Sequence, residues 1–266
     1  MRWFVEVVSL EFRRIAASRI EFWTRIALQV MTQAVIAYFL WGEIMAATSR
    51  ETIGGYTLHA MVAYYVMAAL VFNTINPDFD LLAREIYDGG LNRFIVYPIS
   101  VFYFKFASVV ARLGLCSAQI VSVWLLVRWI TPDALESARS VATLATGLLA
   151  LIQAAIAFFI LICAIELFAF WVESVWNLRL MAQFVLNLLG GYMIPISAFP
   201  EQLRAALEYT PFPWLIALPV RALFGEAQLE ELLHGTVVLG CWSIGLIVMA
   251  RQLWIRGRMR YSGVGL

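Results

Sequence analysis

Apolar runs alternate with short polar breaks along this chain. The long runs cover roughly residues 22–46, 58–76, 99–130, 141–171, 178–196 and 232–254. A bilayer core of about 30 Å needs about 20 apolar residues in helical form, so the pattern predicts six membrane-spanning helices. An even number places both termini on one side.

The polar breaks carry patterns of their own. Ahead of the first run, Arg2, Glu6, Ser9 and Arg13 recur at helical steps, and Trp3, Phe4, Val7, Val8 and Phe12 fill the other face. Residues 1–20 therefore predict an amphipathic helix lying in the membrane interface. Between the second and third runs stands EIYDGGLNRFIVYPIS, from Glu85 to Ser100. Phe79, Leu82 and Ile86 line one side of a short helix over 78–91, and Asp80, Arg84 and Asp88 another. Gly89 and Gly90 end it, and Pro98 opens the next span. The segment 195–225 holds five of the chain's eight prolines: Pro195, Pro200, Pro211, Pro213 and Pro219. Proline breaks helices, yet WLIALPV within the segment remains apolar. A short helix near 200–209, a break and a second apolar piece follow, either as a re-entrant hairpin buried in protein or as an external amphipathic loop.

Composition agrees with the pattern. Hydrophobic residues make up 62% and charged residues 14%, with a mean hydropathy of +0.81, far from the composition of soluble domains. A net charge of +1 gives no bulk attraction to nucleic acid. Arginine placement orients the chain. With both termini inside, the inner ends hold fourteen of the nineteen basic residues and the outer ends hold Arg50, Arg128, Arg139, Arg204 and Arg221; the positive-inside rule then makes both termini cytoplasmic. Glu6, Glu11, Arg13 and Arg14 interrupt the early apolar residues, so the first span is expected to stay in place as an anchor.

Candidate chemistry is sparse. There is no G-x-x-x-x-G-K-[ST], H-E-x-x-H or G-x-S-x-G sequence, so ATP binding in the P-loop manner is excluded. Asp88 with Gly89 and Gly90 lacks the further aspartates of a lipid head-group transferase. Cys116, Cys163 and Cys241 lie in apolar runs without metal-ligand spacing, and His59 and His234 are isolated, so no metal site is expected. Charges at membrane depth are costly and usually face the protein interior. Lys105 and Glu166 each lie 25 residues from the outer ends of their runs, roughly 37 Å down at 1.5 Å per residue, and are expected to pair. Gln183 and Asn187 share one face, followed by Gly190 and Gly191. Amides and small residues on one face mark a tight helix contact, at a dimer interface or along a transport pathway.

The order of these parts resembles the permease subunit of a type-2 ABC exporter, the ABC-2 family. The matching pieces are MRWFVEVVSLEFRR, EIYDGGLNRFIVYPIS and PISAFPEQLRAALEYTPFPWLIALPVRALFG, together with the tail RMRYSGVGL. The resemblance implies one all-α integral membrane permease domain over 1–266: an N-terminal interfacial helix, six spans, a cytoplasmic coupling helix within 78–98, and a broken re-entrant segment over 195–225. It further implies a bacterial cytoplasmic membrane location and an ATP-driven exporter. This chain would form half of a dimeric pathway, beside a like or unlike second permease copy. Separate P-loop ATPase subunits would hold ATP and Mg, with none in this chain. Arg84, Glu85, Tyr87, Asp88 and Arg93 would contact the ATPase, and Tyr38, Tyr64, Tyr65, Phe72 and Tyr192 would line the pathway. Competing readings are a membrane enzyme acting on lipids and a non-transporting anchor of a larger complex.

Overall fold

The computed structural model describes residues 2–17, 19–76, 82–96, 100–130 and 140–261. They form twelve α-helices in the order α1 (Arg2–Ala17), α2 (Arg19–Thr48), α3 (Leu58–Ile75), α4 (Ala83–Tyr87), α5 (Leu91–Val96), α6 (Val101–Ile130), α7 (Val141–Glu166), α8 (Trp176–Leu189), α9 (Glu201–Leu207), α10 (Phe212–Leu215), α11 (Ala217–Phe224) and α12 (Leu229–Arg258). Among the described residues there is no strand; one antiparallel bridge joins Ile53 and Tyr56.

Among the described residues, five helices are long and apolar enough to cross a membrane: Trp23–Thr48, Leu58–Ile75, Val101–Leu126, Val141–Phe170 and Leu229–Arg258. The segment expected as the fifth of six spans is shorter than its apolar run. α8 has 14 residues, roughly 21 Å at 1.5 Å per residue, and ends at Gly190. The backbone beyond it turns through Gly191, where φ is +89°, into the proline-rich segment. The apolar run therefore continues past the helix, and hydropathy alone cannot mark where the helix stops.

α3 is the centre of the bundle. It packs against α2, α6, α7 and α11, and residues from Met61 to Ile75 on all its faces are buried. It is short and apolar all round, as a helix enclosed on every side must be. Thr57 caps its start, accepting the Ala60 N–H at 3.4 Å, and Ser140 does the same for α7 with the Thr143 N–H at 3.1 Å; both satisfy donors that a helix N-terminus leaves open. α2 and α12 instead leave Leu28, Met31, Phe39, Val237, Ile244 and Val248 exposed, the surface a lipid-facing helix presents.

α1 lies against α6. Trp3, Phe4, Val7, Val8 and Ile15 are half-buried, whereas Phe12, expected on the same apolar face, is exposed with Val5 and Leu10. The contact is a narrow stripe, and a second apolar strip faces outward. The proline-rich segment breaks as its prolines dictate. α9 is followed by α10 and α11, with Gly225 ending α11 at φ +74°. Leu215, Ile216, Val220 and Leu223 are fully enclosed among α3, α7, α8 and α12. The Trp124 indole N–H donates to the Leu223 carbonyl at 2.8 Å, tying α6 to this segment. Irregular backbone is thus covered by protein, the condition for its survival inside a membrane.

Candidate functional site

The short helices α4 and α5 hang from the end of the bundle where α3 stops and α6 begins. Of the helix expected over 78–91, residues 77–81, including Asp78, Phe79 and Asp80, lie outside the described residues, as does Pro98. α4 itself is five residues long. Leu82 and Ile86 are buried in a small apolar cluster with Val101, Leu167, Phe170 and Val175. This cluster seats α4 on the 3-10 turn Leu167–Phe170 that follows α7.

Glu166, the last residue of α7, is fully buried. One carboxylate oxygen accepts the backbone N–H groups of Leu82 at 2.5 Å and Ala83 at 3.3 Å. The other accepts from the guanidinium of Arg179, which is itself buried near the start of α8. A buried charge survives only when paired and hydrogen-bonded, and here three segments meet to do it: the entry to α4, the end of α7 and the start of α8. The expected Lys105–Glu166 pair is not formed. The Lys105 ammonium donates to Glu85 at 2.7 Å, and Arg93 donates to the same Glu85 oxygen at 2.5 Å. Both residues stand at the same end of the bundle, as their depth implied, but nearer partners arrive from α4 and α8.

Glu85 therefore points into the protein rather than outward; its side chain is 11% exposed. The outward face of α4 carries Arg84 and Asp88, which pair with each other at 3.2 Å and stay largely exposed. Tyr87 is half-buried, and its hydroxyl donates to the Val172 carbonyl at 3.0 Å. Arg93 is more than half exposed and lies over the Phe94 ring at 4.9 Å. Of the five residues expected to face an ATPase, Arg84, Asp88 and part of Arg93 form the outward surface, and Glu85 and Tyr87 fasten it to the bundle.

Gln183 and Asn187 are half-buried on α8, and Gly190 and Gly191 are buried. The two glycines serve contacts within this chain. A Cβ at Gly191 would lie 2.8 Å from the Tyr64 hydroxyl and 3.0 Å from the Ala217 Cβ, and one at Gly190 would lie 3.2 Å from the Phe212 carbonyl. They let α10 and α11 close on the end of α8. The Tyr64 hydroxyl donates to the Gly191 carbonyl at 2.8 Å and Tyr65 to the Met193 carbonyl at 2.5 Å. Phe72 packs on Tyr192 at 4.9 Å between ring centres, and Gln33 donates to the Tyr192 hydroxyl at 2.9 Å. Of the aromatic residues expected along a pathway, these four are thus core; Tyr38 is exposed. Arg112, deep in α6, donates to Asn73 of α3 at 3.1 Å.

The opposite end of the bundle gathers residues that hydropathy did not single out. The Tyr56 hydroxyl donates to Glu226 at 2.6 Å. Arg221 lies 3.9 Å from Glu226 and donates to Glu231. Burial, then the charge of Glu226, pushes the Tyr56 phenol well up. Burial also raises the Glu226 carboxyl above the usual range, against the Tyr56 hydrogen bond and Arg221, which lower it. The visible signal was the tight Gly54-Gly55 turn ahead of Tyr56; the partners, 170 residues away, had no sequence mark.

An all-helical bundle with five apolar helices of spanning length, and a short polar helix fastened beneath it, has the architecture of a membrane permease. The chain belongs to the ABC-2 transporter family: the family model described as "ABC-2 family transporter protein" matches residues 31–265. It is a multi-pass transmembrane transporter component, and the family implies ABC ATPase components as its partners. No curated protein and no solved structure matches it.

Proposed function

We propose that this chain is one half of a dimeric export pathway driven by two separate ATPase subunits, which hold the ATP and Mg. In this reading it sits in a bacterial inner membrane with both termini cytoplasmic, and α4 with α5 is the element the ATPase pushes. The observation that carries the reading is the three-way joint at Glu166. A force on α4 enters the bundle through Leu82 and Ala83 and reaches α7 and α8 at one carboxylate, because all three share it. The outward Arg84 and Asp88 are the docking surface, and Glu85 with Lys105 and Arg93 keeps that surface rigid.

The test is co-purification of the chain from its host in mild detergent, compared with the Arg84→Glu/Asp88→Lys variant. A stoichiometric P-loop ATPase that the variant loses, while the variant still folds, supports the reading. A wild-type chain that arrives without an ATPase at any salt concentration overturns it.

A further inference from the structure

A cavity of 520 Å³ opens at the end of the bundle away from α4. That volume falls in the range of small-molecule sites. Its buried lining includes the aromatic rings of Tyr56, Tyr64 and Trp214 beside Ala217 and Leu218, and its more exposed lining is charged. The charges do not balance. Arg221 is shared between Glu231 and Glu226, so one guanidinium faces two carboxylates. The hydrogen bond that Glu226 receives from Tyr56 is neutral. Arg204 and Glu208 also line it, both exposed, so its described lining residues carry two guanidiniums against three carboxylates. A surplus of negative charge therefore lies beside aromatic faces, the combination that attracts a cation with an apolar body.

The enclosure is built. Gly54 and Gly55 turn at φ +59° and +87°, which lets the loop before α3 lie over the segment after α8. A Cβ at Gly54 would come within 2.5 Å of the Ser197 Oγ, whereas one at Gly55 would meet open space. Ser197 Oγ is buried on the cavity lining without a hydrogen-bond partner, so a polar group is left for an occupant.

We propose that this cavity binds small organic cations, the ammonium held by the Glu226 and Glu208 carboxylates and the apolar body set against Trp214 and Tyr56. The site lies within a single chain and is independent of the ATPase reading. An ammonium group can arrive on a free molecule or on a lipid headgroup, and the same chemistry recognises both.

The test is equilibrium dialysis of radiolabelled benzyltrimethylammonium against the full chain in uncharged maltoside micelles. Saturable retention is expected, weakened about tenfold by Glu226→Gln, a loss of about 1.4 kcal/mol. Glu208→Gln, whose carboxylate makes no ion pair among the described residues, is expected to weaken it about threefold without touching the fold. The anion 3-phenylpropionate should not displace the probe. Displacement by short-chain phosphatidylethanolamine assigns the site to lipid ammonium, and its failure to displace assigns it to free cations. The proposal is overturned by retention no greater than in empty micelles, by equal retention in wild type and both variants, or by displacement with 3-phenylpropionate.

Discussion

The two ends of this bundle handle acidic side chains in opposite ways. Beneath α7, Glu166 meets one guanidinium and two backbone N–H groups, and Glu85 meets two cations. At the far end one guanidinium serves two carboxylates, Glu226 and Glu231, beside a cavity. A closed polar network resists distortion, because moving any member exposes a charge to a medium that cannot solvate it. An unbalanced one keeps binding capacity in reserve. The first end is suited to pass on a displacement, the second to receive a ligand.

Breaking the closed end should cost most. Glu166→Leu leaves Arg179 buried without its carboxylate and is expected to destabilise the fold by about 3–5 kcal/mol. Arg179→Leu should cost a similar amount, and the double variant less than the sum. Melting curves with a thiol-reactive dye, reading the buried Cys116 and Cys163, measure this. Additive losses would show that the two side chains do not act as one joint.

Next comes Glu85→Gln, expected to cost about 1–3 kcal/mol because Lys105 and Arg93 lose their shared counter-charge and keep only a neutral amide acceptor. Lys105→Met should hurt more than Arg93→Met, since the Lys105 side chain is 17% exposed and that of Arg93 56%. The reverse order in the same melts would place the structural weight on α5 instead.

The open end should yield more easily. Tyr56→Phe removes one hydrogen bond, about 1 kcal/mol, and should speed hydrogen exchange in the loop before α3 while leaving α4 protected. Acidity sharpens the contrast further. Burial raises the Glu226 carboxyl above its ordinary 4.5, so the folded chain holds that proton more tightly than the unfolded one. Its contribution to stability is full below the ordinary range and is lost as pH rises through the raised range. Melts from about pH 4 to about pH 7 should show a slope that Glu226→Gln removes; an identical slope in both would assign it elsewhere.

The smallest effect on stability belongs to the α4 surface. Arg84→Glu/Asp88→Lys keeps an exposed pair with its signs exchanged, so the change should stay below about 0.5 kcal/mol. A large loss would mean that this face is part of the closed network and not a docking surface.

Much of the fold was legible from hydropathy. The five spanning helices lie within about four residues of their apolar runs at both ends, because lipid demands about 20 apolar residues in a row. Val141–Phe170 includes a final 3-10 turn, Leu167–Phe170, that the run did not separate from the helix. α8 is the exception: its run outlasts its helix, since buried turns are as apolar as spans. The breaks in the proline-rich segment were readable because proline removes a backbone donor wherever it stands. The glycine pair after Asn187 lies at a close contact whose neighbours are Tyr64, Ala217 and Phe212 of the same chain.

The sequence by itself determined that this is a membrane-embedded helical chain, where its longest helices fall, and that charges such as Lys105 and Glu166 sit at one depth. These follow from local quantities: hydropathy, helical rise and proline chemistry. Only the tertiary structure decided who meets whom. Glu166 takes Arg179 and the α4 backbone in place of Lys105, Glu85 turns inward, and Tyr56 reaches across the chain to Glu226. Depth is a one-dimensional property written along each helix, whereas a pair also needs the rotation and neighbour of both helices, and these are set by the packing of the whole bundle.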